Sequence, residues 1–321
     1  LGAERCGGKI VFFNRPMPRA LMNTFQAYGS SVPQRTGGAV VAAKVGAKAV
    51  IVRSMTTSID DVPHTGAMRY EKGTPEIPAA AISTKGAERI AKLIKAGKTV
   101  RMHLRMDCES HPDVESANVV GELVGSDRPD EIVVIGGHLD CWDVGQGAHD
   151  DGAGVTHCLE AVRLLQAASI PPKRTIRVVL FMNEENGLRG ANAYVAAHFA
   201  ELSRHVAAIE SDRGGFEPKG FTSSLRGEAL ESLRRLVAPL RAYGMGALIP
   251  GGGGADVGRL GPHGVVLFGL IPSSHRYFDY HHSERDRIEM VNERELELGA
   301  AAVAYLASVL ADHFEPERSS R

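Results

Sequence analysis

The sequence predicts an α/β protein with a mostly parallel mixed sheet covered by helices on both faces, together with a smaller α/β module. Three observations predict it. From Ala117 onward strands and helices alternate regularly; the apolar runs EIVVIGG (131–137) and TIRVVLFM (175–182) lack the period-two alternation of a half-exposed strand; and the first hundred or so residues alternate short apolar runs with Ala-rich segments. A strand without polar alternation needs a helix on each of its faces.

In order, the first module reads as a strand at 9–13, a helix at 38–45, strands at 49–53 and 77–83, a helix at 87–95 and a strand at 100–106. The polar, Pro-containing stretch 107–115 separates it from the remainder of the chain, giving predicted domains of 1–113 and 114–321. The second domain reads as strands at 118–124 and 131–135, a helix at 153–168, a strand at 175–182, a helix at 190–199, a strand at 206–209, a helix at 227–243, a strand at 265–271 and a last helix at 292–314. Gly251 to Gly254 reads as a flexible loop.

Lys+Arg 37 against Asp+Glu 38 leave a formal net charge of -1, which offers no electrostatic footprint for nucleic acid or an anionic membrane. No run of 18 apolar residues occurs to span a bilayer. A small polar substrate is the expected partner. The chain opens at Leu1 without Met, basic region or apolar leader, so a preceding segment is expected. Cys6, Cys108, Cys141 and Cys158 have neither the spacing of a structural zinc site nor the density of a disulfide scaffold, and the sequence selects no pairing among them.

The strands of the second domain end in residues able to do chemistry. EIVVIGG runs into His138 and Asp140, TIRVVLFMN into Glu184 and Glu185, and the 206–209 strand into Glu210 and Asp212. The loop after the 265–271 strand holds His281 and His282, and His149, Asp150 and Asp151 precede a helix. Taken singly, each has a plain reading: a hydrogen-bonded structural His, a solvated Glu pair, an Asp pair capping a helix. Together they crowd one edge of the sheet, where ligands of open α/β sheets bind. Imidazole and carboxylate without thiolate suit zinc or a similar borderline cation. More donors are on offer than one ion needs, and a carboxylate such as Asp150 could bridge two ions, the clamp used by two-metal hydrolases.

The blocks GHLDCWDVGQGAHDDGAG, FMNEENGLRGANAY, ESDRGG and YHHSERD closely resemble the carboxypeptidase Q (plasma glutamate carboxypeptidase) branch of the zinc aminopeptidase superfamily. So do GAVVAAKVGAKAVIVRS, PHTG, ANVVGELVGS and PKRTIRVVLF, which extends the resemblance over nearly the whole chain. It implies a zinc aminopeptidase-like fold and a co-catalytic metallopeptidase with two Zn2+ per chain, acting through a water shared by the ions on dipeptides or short peptides with a free amino terminus. His138 is implied to bind one ion, with Asp140 orienting its ring. Asp150 is implied to bridge both, Asp212 to complete the first site, and Glu185 and His282 to hold the second ion. Glu184 is the implied general base, and a cis peptide is implied between Asp150 and Asp151. Many relatives carry Tyr just before the last ligand His; this chain has His281, expected to take over as hydrogen-bond donor to the oxyanion. The first domain is implied to be a protease-associated-type insert, and a homodimer and a secreted, periplasmic or lysosomal location are further implications. Two other readings of the same fold are a catalytically silent receptor or binding module, which would have lost metal ligands, and a zinc acyltransferase or cyclase, which would keep fewer metals.

Overall fold

The computed structural model describes residues 2–315, so the predicted chain ends, Leu1 and 316–321, lie outside the described residues. The described residues form two compact units: 2–115 with His275–Arg285, and Ser116–Ser274 with 286–315.

The first unit contains α1 (Gly2–Cys6), β1 (Ile10–Phe13), α2 (Thr24–Ser31), α3 (Pro33–Thr36), α4 (Gly38–Ala43), β2 (Ala49–Arg53), β3 (Ala79–Ile82) and α5 (Thr84–Lys95). Its three strands pair in parallel in the order β1-β2-β3. The central strand β2 is buried at every position, which suits its unbroken apolar run. Helix α2, absent from the sequence reading, starts at Asn23, whose side chain accepts a hydrogen bond from the Gln26 N–H as an N-cap. The expected strand at 100–106 does not form. Its apolar residues alternate as in a strand, but the segment joins neither sheet, and Met102 and Met106 are exposed.

The second unit carries β4 (Val119–Leu123), β5 (Arg128–His138), α6 (Ala153–Ala167), β6 (Arg174–Phe181), α7 (Arg189–Ala197), β7 (His205–Glu210), β8 (Pro218–Ser223), α8 (Gly227–Leu236), β9 (Ala247–Pro250) and β10 (Val266–Pro272). The chain then returns to the first unit for α9 (Tyr277–Tyr280) and ends in α10 (Glu293–Asp312) of the second. The seven strands lie in the order β4-β6-β5-β7-β10-β8-β9. The run from β6 to β10 is parallel, and β4 and β8 pair antiparallel to their neighbours β6 and β10. This is the mostly parallel mixed sheet expected.

Both faces are covered. Val133 and Ile135 of β5 pack with Cys158, Ala161 and Leu165 of α6 and with Val303, Leu306 and Leu310 of α10. Ile132 and Val134, pointing the other way, pack with Ala191 and Tyr194 of α7 and with Val257 and Leu260. Successive side chains thus enter opposite apolar layers, each full burial worth about 1.5–3 kcal/mol, which is why the run shows no alternation.

Strands β8 and β9 escaped the sequence reading because PKGFTS and ALIP hold Pro and Gly, residues that ordinarily argue against strands. In β8 the Pro is the first residue, and Gly220, at φ +140, lies so close to Ala247 of β9 that a Cβ would collide with its backbone. The helix expected over 227–243 ends at Leu236; a short 3-10 turn, Ala238–Tyr243, follows, with Pro239 in its first turn. All four cysteines are free. Among the described residues no helix is long and apolar enough to cross a membrane.

Candidate metal centre

The carboxyl ends of β5, β6 and β7 lie side by side because these strands are parallel neighbours. His138 is the last residue of β5 and sits opposite Phe181, the last of β6; Glu184 and Glu185 follow β6, and Asp212 follows β7. Asp150 precedes α6. The second unit thereby brings together His138, Asp140, Asp150, Glu184, Glu185 and Asp212 of the residues singled out in the sequence.

His138 is buried, and its Nδ1 lies 2.8 Å from the backbone carbonyl of Asp140. A carbonyl only accepts, so Nδ1 carries the hydrogen and Nε2 is left as a lone-pair donor. That Nε2 lies 3.3 Å from Asp150 Oδ1 and 3.6 Å from Asp212 Oδ1. Ligand atoms about 2.0–2.2 Å from a tetrahedral zinc stand roughly 3.4 Å apart, so these separations fit an ion at their centre. Donor atoms of His138, Asp150 and Glu185, and likewise of His138, Asp151 and Asp212, fall within 4.8 Å of one another. The donor set is all nitrogen and oxygen, as in the His and carboxylate class of catalytic zinc sites.

The supporting bonds are specific. The Asp140 carboxylate, 3.7 Å from His138 Nδ1, accepts from the backbone N–H groups of Glu184 at 2.9 Å and Glu185 at 3.2 Å. It therefore fixes the Glu pair, while the Asp140 carbonyl orients His138. The Trp142 Nε1–H donates to Glu185 Oε2 at 2.6 Å. Asp286 accepts from the His149 N–H at 2.6 Å with one oxygen and from the Asp150 N–H at 3.0 Å with the other, holding the main chain at 149 and 150. Asp151 accepts from the His138 N–H at 3.0 Å and the Gly154 N–H at 3.1 Å, in the first turn of α6. The capping role read for the Asp pair falls to this second Asp. A Cβ at Gly137 or Gly154 would strike its carboxylate, so both positions need glycine. The Asp150–Asp151 peptide is cis, as the resemblance implied.

Of two further buried carboxyls in this region, Glu210 is among the strand-end residues named from the sequence and Asp256 is not. Glu210, the last residue of β7, accepts from the N–H groups of Ala255 and Val257, both at 2.6 Å, which pins the loop after the glycine run. Asp256 lies between those two donors and is 1% exposed. Its only signal in the sequence is an acidic residue next to a glycine run.

His281 and His282 belong to the first unit. Their rings stack with centroids 3.5 Å apart, and His281 also meets Tyr28 edge-on at 5.2 Å. Phe25 stacks on Tyr277 at 5.0 Å and Tyr28 on Phe278 at 4.7 Å, which seats the 275–285 segment in that unit. Arg285 adds an ion pair with Asp60 at 2.7 Å.

Carboxylates dominate the electrostatics of the second unit's site. Burial and the neighbouring Asp212 push Glu184 up to about 8. Burial pushes Asp256 up to about 9 with repulsion from Glu210, and Glu210 up to about 7 with repulsion from Asp212. Burial also works to lower His138, but Asp140, Asp150 and Asp212 outweigh it and hold the imidazole well above its ordinary value. All four groups bind protons more tightly folded than unfolded. Stability they contribute is complete below the unfolded pKa and is lost as pH climbs through the folded one. His64, His157 and His205, each lowered by burial to about 4, act in the opposite sense, but only below the ordinary histidine value of about 6.5. Chelated protein is therefore expected to lose a few kcal/mol between about pH 6.5 and 9, seen as a Tm lower by about 5 °C, and added zinc should recover most at the alkaline end. A melting temperature flat across that range would contradict the proton-rich metal-free site.

Comparison with known proteins places this geometry in context. The model of peptidase family M28 matches residues 118–307. The chain is 36% identical over 305 residues to carboxypeptidase Q of Bos taurus and 37% identical over 313 residues to carboxypeptidase Q of Homo sapiens, covering 95% and 97% of this chain. It spans 63% and 64% of the length of those two relatives. The crystal structure of a peptidase M28 precursor from Shewanella amazonensis SB2B superposes with a TM-score of 0.93 at 38% identity, over 98% of this chain and 71% of that one. BSAP, a zinc aminopeptidase from Bacillus subtilis, shares the fold with a TM-score of 0.61 at 21% identity, over 99% of this chain and 72% of that one.

Proposed function

Because the chain belongs to peptidase family M28, we propose that it is a metal-dependent exopeptidase that hydrolyses dipeptides or short peptides bearing a free amino terminus. One observation carries the proposal: His138 Nε2 stands 3.3 Å from Asp150 and 3.6 Å from Asp212, at tetrahedral-edge spacing, with Glu184 beside them.

By resemblance, His138, Asp150 and Asp212 would hold one zinc ion, and Asp150, Glu185 and His282 would hold a second. When bound, the ions supply Lewis acidity toward the scissile carbonyl and lower the pKa of water. Glu184 has its main chain tied to Asp140 and its carboxylate outside this donor set. It takes the proton of the attacking water at a carboxylate oxygen and delivers it to the leaving amine nitrogen. The His281 ring donates a hydrogen bond to the developing oxyanion. The 1–113 module is the protease-associated-type insert.

A panel of free dipeptides, their N-acetylated forms and longer peptides, with zinc measured on the same sample, tests the reading. Free dipeptides should be cut at least about tenfold faster than blocked ones, because a blocked terminus leaves polar groups of the site unpaired. Exhaustive chelation should silence the enzyme and zinc should restore it. Equal cleavage of blocked substrates would remove the exopeptidase assignment, and activity that survives chelation would remove the metal.

A further inference from the structure

We infer that His64 is a positioning residue that sets the His281–His282 corner and through it the retention of the second ion, an inference that rests on the reading of His282 as a ligand. His64 lies in the PHTG motif, is 1% exposed, and sits with the 275–285 segment in the first unit. Its Nδ1 is 2.8 Å from the backbone carbonyl of His281. Nδ1 must be the donor, because the carbonyl can only accept. Thr65 takes the next position along: its N–H donates to the His282 carbonyl at 2.9 Å, and its own carbonyl lies 3.3 Å from His282 Nδ1. The latter contact commits Nδ1–H of His282 and leaves Nε2 as the atom that can ligate, the arrangement metal-binding histidines generally adopt.

The corner needs this support because His282 has φ +58, in the left-handed region that a non-glycine residue rarely occupies. Two consecutive carbonyls, those of His281 and His282, are held by two consecutive residues, His64 and Thr65. The clamp is itself anchored. The His64 N–H donates to Ser54 Oγ at 2.8 Å, and the Ser54 hydroxyl donates to the Ile82 carbonyl at 2.8 Å, tying the motif to the ends of β2 and β3. Without the His64 donor, the His281 carbonyl is released and the φ of His282 can relax toward the ordinary region. Its ring would then leave the direction set by Thr65.

The test compares His64→Leu, which removes the donor and keeps apolar bulk, with His64→Asn, whose side-chain N–H can reach the same carbonyl. Zinc content and competition titration against a chelator are read on both, with circular dichroism and the Tm of the chelated protein as checks on folding. The Leu variant should bind the second ion about 10–100-fold more weakly while keeping the first, and the Asn variant should stay within a few-fold of the parent. A folded Leu variant with parental affinity for both ions overturns the inference. So does an Asn variant as weak as Leu, since the donor would then not be what matters. Should Leu not fold, Ser54→Ala loosens the same clamp without touching the ring and should weaken the second ion a few-fold; unchanged affinity counts against the inference equally. A parent chain that holds fewer than two ions sinks the two-ion reading itself, and this inference with it.

Discussion

Replacing Glu184 by glutamine is expected to cut turnover by about 10^2–10^4-fold while leaving the zinc content of the protein unchanged. The two halves of that expectation come from different parts of the structure. Within the second unit the donor atoms that cluster are those of His138 with Asp150 and Glu185, and of His138 with Asp151 and Asp212, and Glu184 is in neither group. The Glu184 backbone is held by Asp140 whatever the side chain, so glutamine should occupy the same place. What glutamine cannot do is accept a proton and return it. Steady-state kinetics on a free dipeptide, with metal analysis of the same preparation, give the answer. A variant with parental turnover would take Glu184 out of the chemistry; one that had lost zinc would make it a ligand.

Asp150→Ala is expected to be more severe, with metal content falling from the proposed two ions to background and activity below detection. Asp150 is the carboxylate proposed to be shared, and Asp150 Oδ1 is the oxygen 3.3 Å from His138 Nε2. Its removal also takes from His138 Nε2 the nearer of these two carboxylate contacts and leaves Asp212 Oδ1 3.6 Å away. Asp286 still holds the main chain at 149 and 150, and Asp151 still caps α6, so the fold should survive. Metal analysis and circular dichroism together decide the matter: a folded variant that retains both ions would contradict the bridging role. Asp140→Asn, by comparison, alters a carboxylate that accepts from the amides of the Glu pair and lies 3.7 Å from His138 Nδ1, and it marks how far a positioning carboxylate differs from a donor.

Much of the site was legible because the polar residues that end strands of a parallel sheet are forced to one edge. His138, Glu184, Glu185 and Asp212 each stand within a few residues of a strand end, and the apolar runs before them are long enough to be recognised as buried strands. The division of labour within the site was not legible. Nothing in the string Asp150-Asp151-Gly152 says which Asp turns toward His138 and which caps the helix; that depends on the space left by Gly137 and Gly154. The carbonyl rather than the carboxylate of Asp140 orients His138, and only coordinates separate the two. Trp142 and Asp286 act through hydrogen bonds to residues 43 and 136 positions away in the chain, a distance over which sequence pattern carries no signal.

The same contrast runs through the fold. Strands β5 and β6 and helices α6 and α10 are written in their own residues, because burial on two faces or one imposes an apolar pattern that is local and periodic. The class of fold, the family and the polar residues that close the strands could accordingly be read from the residues alone. It took the folded chain to show that β8 and β9 exist, that 100–106 joins neither sheet, and that the 275–285 segment with its two histidines packs into the first unit. Backbone pairing and side-chain contact are properties of two segments at once. A single stretch of residues cannot encode its partner, and so those decisions waited for the chain to meet itself.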